Sequence, residues 1–515
     1  DSVLLNWITV AYPRSFLATE GMLRFALPAV ADSGNSVRVG DLRTQNITVL
    51  DRKRTAVLTN VLAEADGAGF GARFGVRSGG THLVFDEDAI RLAPPAERDE
   101  NSDLRGERQG ASYVVVTHGM FKNQSEQLAE HRRSEGLSAI VVDVQDIFDE
   151  FAYGHLTETA IREFMVHAYD TWAERPTYLL LMGRYTYDYR DLQGQAQFRR
   201  RSLVPAMPFQ SVRRGVAYTD HFFGTVAGDD PFMDVWVGRF SVNNTLEANS
   251  VVQKVIGYDQ AVQAPWRGKI LYMANWDRAE GASLFIADSD NLIEKYTDPF
   301  GLEALRVYHD ADTPLAPNES SSEVIRQFNE GRLIVNFMGH GSLATMDRYI
   351  SGVSQQIGFD YTGQIVNQEK LPLVIGMSCL NALYSEPALV CFAEEMTNKV
   401  NGGSIAYVSA SSLAFIFTNN FINDAMFRLM FREGVTSFGA AVAMAKTDLL
   451  TQRPGSDNST VLMMLMGDPA QKLALPSGPN FSIDEAALTI TPEGVLAAAD
   501  TARIELNIVN EGILP

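Results

Sequence analysis

The sequence has 515 residues, 46% hydrophobic and 21% charged, a composition typical of a globular protein of roughly two to four domains. The formal net charge of −20 repels polyanions and excludes nucleic acid as a favoured partner, while it suits peptides that carry Lys or Arg. No stretch reaches the roughly 18 apolar residues of a membrane helix. The two cysteines, Cys379 and Cys391, exclude a disulfide framework and a four-cysteine zinc site, although they could pair with each other.

The first part of the chain, residues 1–108, consists of short alternating segments such as "TAVLTNVLAEA" and "THLVFDEDAIRLA", broken by Gly, Asp, Asn and Pro. This pattern predicts an antiparallel β domain, and we expect a β-sandwich. The charged run "PPAERDENSDLRGERQG" has no periodicity and marks a linker.

From residue 111 the pattern changes to apolar runs that alternate with amphipathic helices. The segment 111–264 contains "SYVVVTHG", "SAIVVDV", "TYLLLMG" and "MDVWVGRF", with helices predicted over residues 124–135, 158–173 and 246–263. Strands that are apolar on both faces and separated by helices indicate a parallel sheet in an α/β fold.

The segment 265–476 repeats this pattern with "KILYMAN", "ALRVY", "RLIVNFMG", "LPLVIGMSC" and "SIAYVSAS", with helices from near Ser283 and over residues 321–330. We therefore predict two α/β subdomains, each with a mainly parallel sheet. Residues 477–515 return to alternation and predict the start of an immunoglobulin-like domain. Because the sequence begins without Met and stops within this pattern, we expect it to be part of a longer, processed protein.

Reactive side chains follow three of the predicted strands. Asp277 follows "KILYMANW", His340 follows "LIVNFMG" and Cys379 follows "LPLVIGMS". Ligands of open parallel sheets bind outside the carboxyl ends of the strands. A thiol needs an imidazole to take its proton, and the developing oxyanion needs backbone N–H donors. The pattern thus predicts thiol acyl transfer, with the N–H groups of Gly341 and Cys379 as the oxyanion donors.

Other interpretations of these residues stay open at this point. A lone histidine at a strand end is more often structural, and a lone cysteine is more often a small core residue. "VVVTHGM" also ends a strand, at His118, but no cysteine lies in that half of the chain, so we expect a structural role for His118. "GMSCL" lacks the last glycine of a serine-hydrolase elbow, and no zinc or phosphate-binding motif is present.

Four segments together resemble the gingipain family, the C25 cysteine peptidases of the caspase-like clan. They are "RLIVNFMGHGS", "LPLVIGMSCLNALYSEPALVCFAEEM", "GGSIAYVSAS" and the closing "MGDPA". The resemblance covers roughly residues 111–475 and implies a caspase-like α/β peptidase. It places the catalytic histidine at His340, the nucleophile at Cys379 and the acid that orients the histidine at Asp277. Cys391 matches a structural position.

The resemblance also bears on substrate choice. Arginine-specific members carry an Asp about eleven residues after the orienting acid, and Asp288 has this spacing. The residues around Asp290, in "SD", match the local sequence context of that Asp better. The resemblance implies that either carboxylate would form an acidic S1 pocket for Arg or Lys. Arg184 stands where relatives usually carry an acidic residue, which puts a ligand or calcium site of the first half in question.

We therefore expect a secreted or surface cysteine endopeptidase that acts on proteins or peptides and needs no cofactor. Structural calcium could bind the acidic clusters "GDDPFMD" and "ADSD", although solvated turns are the commoner outcome. The alternatives are a sortase-like transpeptidase of a secretion pathway and a non-catalytic binding protein with a peptidase fold. An inhibitory propeptide and secretion machinery are the expected further partners.

Overall fold

The structure is a computed structural model that describes residues 15–27, 36–76, 79–91, 102–106, 110–192, 194, 202–261, 264–275, 284–308, 317–346, 350–351, 362–476 and four short strands after residue 480. The chain forms two compact units, Asp1–Asn101 and Ser102–Pro515.

The first unit consists of short antiparallel strands. They are β1 (Met22–Ala26), β2 (Ser36–Leu42), β3 (Ile47–Asp51), β4 (Ala56–Val57), β5 (Leu62–Asp66), β6 (Gly69–Gly75) and β7 (Thr81–Asp86). They form two sheets, in the orders β1-β7-β3-β4 and β2-β6-β5, and every strand pair in these sheets is antiparallel. Side chains from both sheets, including Leu23, Val39, Val49 and Phe74, form one buried cluster. The antiparallel prediction is confirmed, while the sandwich stays a prediction.

The second unit contains most of the secondary structure. Its strands are β8 (Tyr113–Thr117), β9 (Ala139–Asp143), β10 (Tyr178–Met182), β11 (Met207–Ser211), β12 (Gly215–Thr219), β13 (Trp236–Phe240), β14 (Lys269–Ala274), β15 (Glu303–Tyr308), β16 (Ile334–Met338), β17 (Gly341–Ser342), β18 (Thr345–Met346), β19 (Ile350–Ser351), β20 (Leu373–Met377), β21 (Ala406–Ala410) and β22 (Met463–Met466). Its helices are α1 (Lys122–Ser134), α2 (Val144–Ala152), α3 (Glu158–Thr171), α4 (Thr245–Gln260), α5 (Leu284–Leu292), α6 (Pro317–Glu330), α7 (Phe392–Asn398), α8 (Ile416–Phe431), α9 (Phe438–Gln452) and α10 (Asp457–Thr460).

Ten of these strands form a single sheet, in the order β15-β14-β16-β20-β21-β22-β13-β10-β8-β9. All neighbours are parallel except β21 and β22, which are antiparallel over four residue pairs. Both predicted subdomains therefore contribute to one mixed sheet. Because β22 is parallel to β13, the block from β22 to β9 runs opposite to the block from β15 to β21, and the carboxyl ends of the two blocks lie at opposite edges.

Burial on both faces explains why these strands read as continuous apolar runs. Alternate residues of β14, such as Ile270 and Tyr272, join one buried cluster with α1, α4, α8 and α9, while Leu271 and Met273 join a second cluster with α6 and α7. A third cluster packs α2 and α3 against β8 and β10. The second unit is thus a three-layer α/β structure, as the alternation of strands and helices predicts.

The described C-terminal residues form two short antiparallel pairs. They are β23 (Phe481–Ile483) with β26 (Ile508–Asn510), and β24 (Thr489–Thr491) with β25 (Arg503–Glu505). An immunoglobulin-like domain stays a prediction. None of the described helices is both long and apolar enough to span a bilayer.

Candidate active site

Two of the three predicted catalytic residues lie at one edge of the sheet, on adjacent strands. In the register of the sheet, Ala274 of β14 pairs with Met338 of β16, which pairs with Met377 of β20. The three strands therefore end level with one another. His340 and Cys379 are each the second residue after their strand ends, so β16 and β20 bring these two loops side by side. Asp277, which follows β14, lies outside the described residues.

The two glycines beside His340 are needed for close approach. A Cβ at Gly339 would lie 2.1 Å from Oδ1 of Asn275. A Cβ at Gly341 would lie 2.6 Å from Oγ of Ser378 and 2.8 Å from the carbonyl oxygen of Cys379. The hairpin that starts at Gly341 therefore packs directly on the turn that carries the predicted nucleophile. Glycine is required here for space, since neither residue has a positive φ.

We expect Gly341→Ala to lower kcat/KM for peptide hydrolysis by about 100-fold, because the added methyl must push the His340 loop away from Cys379, and a displacement of about 1 Å has an effect of this size. Gly257→Ala on α4 is the matched control, since its Cβ would meet no atom within 4 Å. Unchanged kcat/KM in Gly341→Ala would contradict the close contact of the two loops.

The Cys379 thiol is partly accessible and has a backbone donor. The side chain is half-buried, and the N–H of Ala414 lies 3.4 Å from Sγ. The thiol in turn donates to the carbonyl oxygen of Ala414 at 3.6 Å, so the backbone of Ala414 holds Sγ in place. The next residue, Leu380, has a φ of 65°, a conformation that is uncommon for a residue with a side chain and that turns the chain sharply after the thiol.

The His340 ring is exposed and contacts α5. Its edge-to-face partner is Phe285, at a centroid distance of 5.6 Å and an interplanar angle of 87°. Phe285 is buried, so α5 supports the imidazole from one side. Neither Phe285 nor Ala414 was identified from the sequence, because a helix and a distant loop bring them to the site.

The two S1 candidates have different surroundings. Asp288 lines a cavity of about 340 Å³ between α5, α8 and α9 and accepts a hydrogen bond from Asn420. Burial raises the pKa of the Asp288 carboxyl, although the Asn420 amide acts against this shift. Asp290 instead accepts hydrogen bonds from Nε of Arg306 at 2.9 Å and from the Tyr308 hydroxyl at 3.1 Å.

Cys391 and His118 lie away from this arrangement. Cys391 is fully buried at the start of α7, and burial raises the pKa of its thiol well above the ordinary value. Both cysteines are free thiols. His118 follows β8, whose carboxyl end lies at the opposite edge of the sheet, and its Nδ1 accepts the N–H of Met120 at 3.1 Å.

The surroundings of Arg184 are those of a buried structural residue and not those of an open ligand site. The side chain is 1% exposed, and its Nε donates to Oε1 of Glu394 at 2.9 Å. Its Nη2 donates to the carbonyl oxygens of Tyr384, Glu386 and Leu389 at 3.3, 2.9 and 2.7 Å. Arg184 therefore joins β10 to the segment that follows the Cys379 turn.

The acidic groups considered for calcium mostly have protein partners. In "GDDPFMD", Asp234 accepts the N–H groups of Val226 and Ala227. Among the described residues, one other cluster, His131, Glu135 and Asp259, has metal-ligand spacing. The Arg132 guanidinium already pairs with both carboxylates of that cluster, so the cluster fits an ion-pair network better than a cation site.

Comparison with known sequences decides the family. The sequence model of peptidase family C25 matches residues 107–474. The chain belongs to peptidase family C25. The large mixed sheet with helices on both faces fits the caspase-like α/β fold that the sequence predicts for this part of the chain.

Relatives of this C25 peptidase include gingipain R1 of Porphyromonas gingivalis, which is 23% identical over 330 residues, covering 63% of this chain and 29% of the relative. Gingipain R2 of P. gingivalis strain W83 is 22% identical over 303 residues, covering 58% of this chain and 36% of the relative. The chain thus spans about a third of the length of these relatives.

Two solved structures share the fold of the C25 chain. The crystal structure of the Arg-specific cysteine proteinase gingipain R matches with a TM-score of 0.60 at 18% identity, covering 74% of this chain and 82% of that one. Dimeric latent PorU from P. gingivalis matches with a TM-score of 0.50 at 16% identity, covering 96% of this chain and 44% of that one.

Proposed function

We propose that the chain is a secreted or cell-surface cysteine endopeptidase in which Cys379 is the nucleophile and His340 is the general base. One observation carries the proposal: both residues follow adjacent parallel strands by two positions, and Gly341 packs on the backbone of Cys379. A thiol and an imidazole that follow directly after two rigid, neighbouring strands are the groups that thiol acyl transfer requires.

In the proposed reaction, the His340 imidazole takes the thiol proton and Sγ forms a bond to the carbonyl carbon of the substrate. The C–N bond breaks as the imidazolium returns the proton to the leaving amine, and water then hydrolyses the thioester with His340 as base. The N–H groups of Gly341 and Cys379 are the proposed oxyanion donors. Asp277 is the proposed acid that orients the imidazole. These steps use groups of the chain alone, so no cofactor is proposed.

For the substrate, we propose Arg or Lys at P1, with Asp288 as the recognising carboxylate. Asp288 lines a cavity whose α8 wall begins at Ile416, two residues after the Ala414 that contacts Cys379. Gingipain R, a structural neighbour, is described as Arg-specific. Asp290 is the weaker candidate because Arg306 and Tyr308 already engage it.

Asp288→Asn should lower kcat/KM for substrates with Arg or Lys at P1 by about 100-fold, since the buried cation would lose its counter-charge. Asp290→Asn is the matched control and should leave the P1 preference unchanged. Initial rates on fluorogenic peptides with Arg, Lys, Ala or Leu at P1 give the comparison. The same P1 profile in wild type and Asp288→Asn would remove the acidic S1 pocket from the proposal.

Alkylation by iodoacetamide tests the thiol mechanism itself. The alkylation rate at neutral pH reports the reactivity of the thiol, and mass spectrometry assigns the modified residue. We expect modification of Cys379, not the buried Cys391, and a much slower reaction of Cys379 in His340→Ala. A non-catalytic binding protein predicts the same rate with and without His340, an outcome that would overturn the proposal.

The main alternative is a sortase-like transpeptidase that passes the acyl group to an amine. It differs from hydrolysis only in the acceptor that attacks the thioester. Addition of a peptide with a free amino terminus separates the two reactions, because a transpeptidase yields a ligated product and a hydrolase yields the free acid.

The proposal extends to the domains that flank the candidate site and to the partners of the chain. We propose an N-terminal sandwich over residues 1–108, peptidase subdomains over 111–264 and 265–476, and an immunoglobulin-like domain that starts at 477. An inhibitory propeptide is a proposed partner, since structural neighbours include a complex of pro- and mature domains of RgpB and a latent form of PorU. Secretion machinery is a further proposed partner, on the family resemblance alone. Structural calcium stays a prediction.

A further inference from the structure

Asn381 links the two loops of the candidate site. It is fully buried and lies two residues after Cys379, beyond the left-handed turn at Leu380. Its Nδ2 donates to the carbonyl oxygens of Ser342 at 2.6 Å and Thr345 at 2.9 Å. Both acceptors belong to the β17–β18 hairpin that follows His340 directly. A single amide on the nucleophile turn therefore holds the backbone of the histidine loop.

The other end of the same amide is fixed within the core. Its Oδ1 accepts hydrogen bonds from the Ser378 hydroxyl at 2.8 Å and from the Tyr407 hydroxyl at 3.2 Å. Both donor residues are buried. An asparagine amide has two donor hydrogens and two acceptor positions, so all four are used. The amide therefore has one favourable orientation, and four hydrogen bonds hold it there.

Asn381 joins the His340 and Cys379 loops at a place where no regular secondary structure connects them. β16 and β20 are paired only as far as Met338 and Met377, and both chains leave the sheet before His340 and Cys379. Beyond that point, Gly341 packs on Ser378 and Cys379, and the two Asn381 hydrogen bonds hold the hairpin against the nucleophile turn. The N–H of Phe392 also donates to the carbonyl oxygen of Leu343 in the hairpin, at 2.7 Å. The packing prevents closer approach, and the hydrogen bonds prevent separation.

We propose that Asn381 is a positioning residue that sets the distance between the Cys379 thiol and the His340 imidazole. The inference rests on the proposed thiol mechanism. A positioning role predicts a slower reaction of the Cys379 thiol with an alkylating reagent, because an imidazole assists a thiol only while the two are close. A merely structural role predicts a loss of stability without that effect.

The experiment uses two variants of Asn381 in the whole chain. Asn381→Ser removes the reach of the amide without adding charge, and Asn381→Asp keeps the shape and the acceptors but removes both N–H donors. For each, the rate of Cys379 alkylation by iodoacetamide is measured at neutral pH. We expect this rate to fall by about tenfold in both variants, and kcat to fall by at least about tenfold with a smaller change in KM.

Asn367 offers a matched control at the opposite edge of the sheet. It is also buried, and its Nδ2 donates to the carbonyl oxygens of Lys370 and Gly403 at 2.8 and 2.9 Å. It joins the loops that precede β20 and β21, which gives it the same chemistry without contact to the site. Asn367→Ser should lower the urea midpoint to a similar degree as Asn381→Ser and leave the rate of Cys379 alkylation unchanged.

His340→Ala separates failure of this inference from failure of the proposed function. If His340→Ala does not change the rate of Cys379 alkylation, the thiol mechanism itself fails. If His340→Ala lowers this rate and the Asn381 variants do not, only the positioning role is overturned. A lower rate in Asn381→Asp alone reflects the added charge and also overturns it. If neither Asn381 variant folds, the residue serves the whole fold and the inference is equally wrong.

Discussion

Replacement of Cys379 by Ala should abolish peptide cleavage, with kcat/KM falling by about 10⁴-fold or more. Without the thiol no acyl-enzyme forms, and the residual rate is that of a site that only binds and polarises the carbonyl. Cys379 is half-buried on a turn, so removal of Sγ leaves no large cavity, and the variant should unfold at nearly the urea concentration of the wild type. Loss of activity would then report chemistry and not folding.

Cys391→Ala is the control for this experiment, since it removes the other thiol. Cys391 is buried with a raised thiol pKa, so its replacement should lower stability by roughly 1–2 kcal/mol while activity persists. Hydrolysis of a fluorogenic peptide by purified protein, with titration of alkylatable thiols, measures both variants. An active Cys379→Ala protein, or an inactive but folded Cys391→Ala protein, would contradict the assignment of the nucleophile.

The sequence predicts the positions of His340 and Cys379 well because few physical rules determine them. Apolar runs such as "LIVNFM" and "LPLVIGM" are strands buried on both faces, and parallel neighbours end at the same edge. The register that makes Met338 and Met377 level then follows from the helices and loops that connect the strands. A histidine and a cysteine at equivalent positions after such strands lie at the same edge of the sheet.

The direction of the first half of the sheet could not be predicted in the same way. It depends on β22, a four-residue strand late in the chain that inserts between β21 and β13 and runs antiparallel to β21. "MMLM" has no periodic signal that separates it from the end of a helix. The prediction of two parallel sheets therefore missed that one continuous sheet changes direction at β22.

The supporting residues of the site were missed for a related reason. Asn381, Ala414 and Phe285 act through a turn, a loop and a helix that are distant in sequence from the groups they contact. Nothing in "SCLNALY" distinguishes an asparagine that holds a hairpin from one that caps a turn. The sequence signal marks reactive side chains, whereas the residues that hold them are defined by three-dimensional contact.

Arg184→Met should have the largest effect on stability, a loss of roughly 3–5 kcal/mol in the free energy of unfolding. The substitution keeps much of the side-chain volume but leaves the Glu394 carboxylate buried without its counter-charge. It also removes the donor to three carbonyl oxygens of the segment 384–389. Urea unfolding followed by circular dichroism measures the loss.

The double variant Arg184→Met with Glu394→Gln separates the two contributions. A neutral amide at residue 394 keeps one acceptor oxygen for the N–H of Cys391, and its NH2 group can donate to the Ser241 hydroxyl, so the penalty of an unpaired buried charge disappears. We expect the double variant to recover part of the lost stability, and the remainder to report the unpaired carbonyl groups. An additive loss in the double variant would show that the ion pair is not coupled.

Because the same guanidinium braces the chain that leaves the nucleophile turn, Arg184→Met should also lower kcat, and the double variant should not restore it. The charge at Glu394 matters for folding, while the hydrogen bonds to the 384–389 segment matter for the position of Cys379. Arg184→Lys provides the last comparison: it retains the positive charge beside Glu394 but lacks the planar fork that reaches several acceptors. It should therefore recover stability more fully than it recovers kcat, and recovery of both to the same extent would rule out a role for these hydrogen bonds in catalysis.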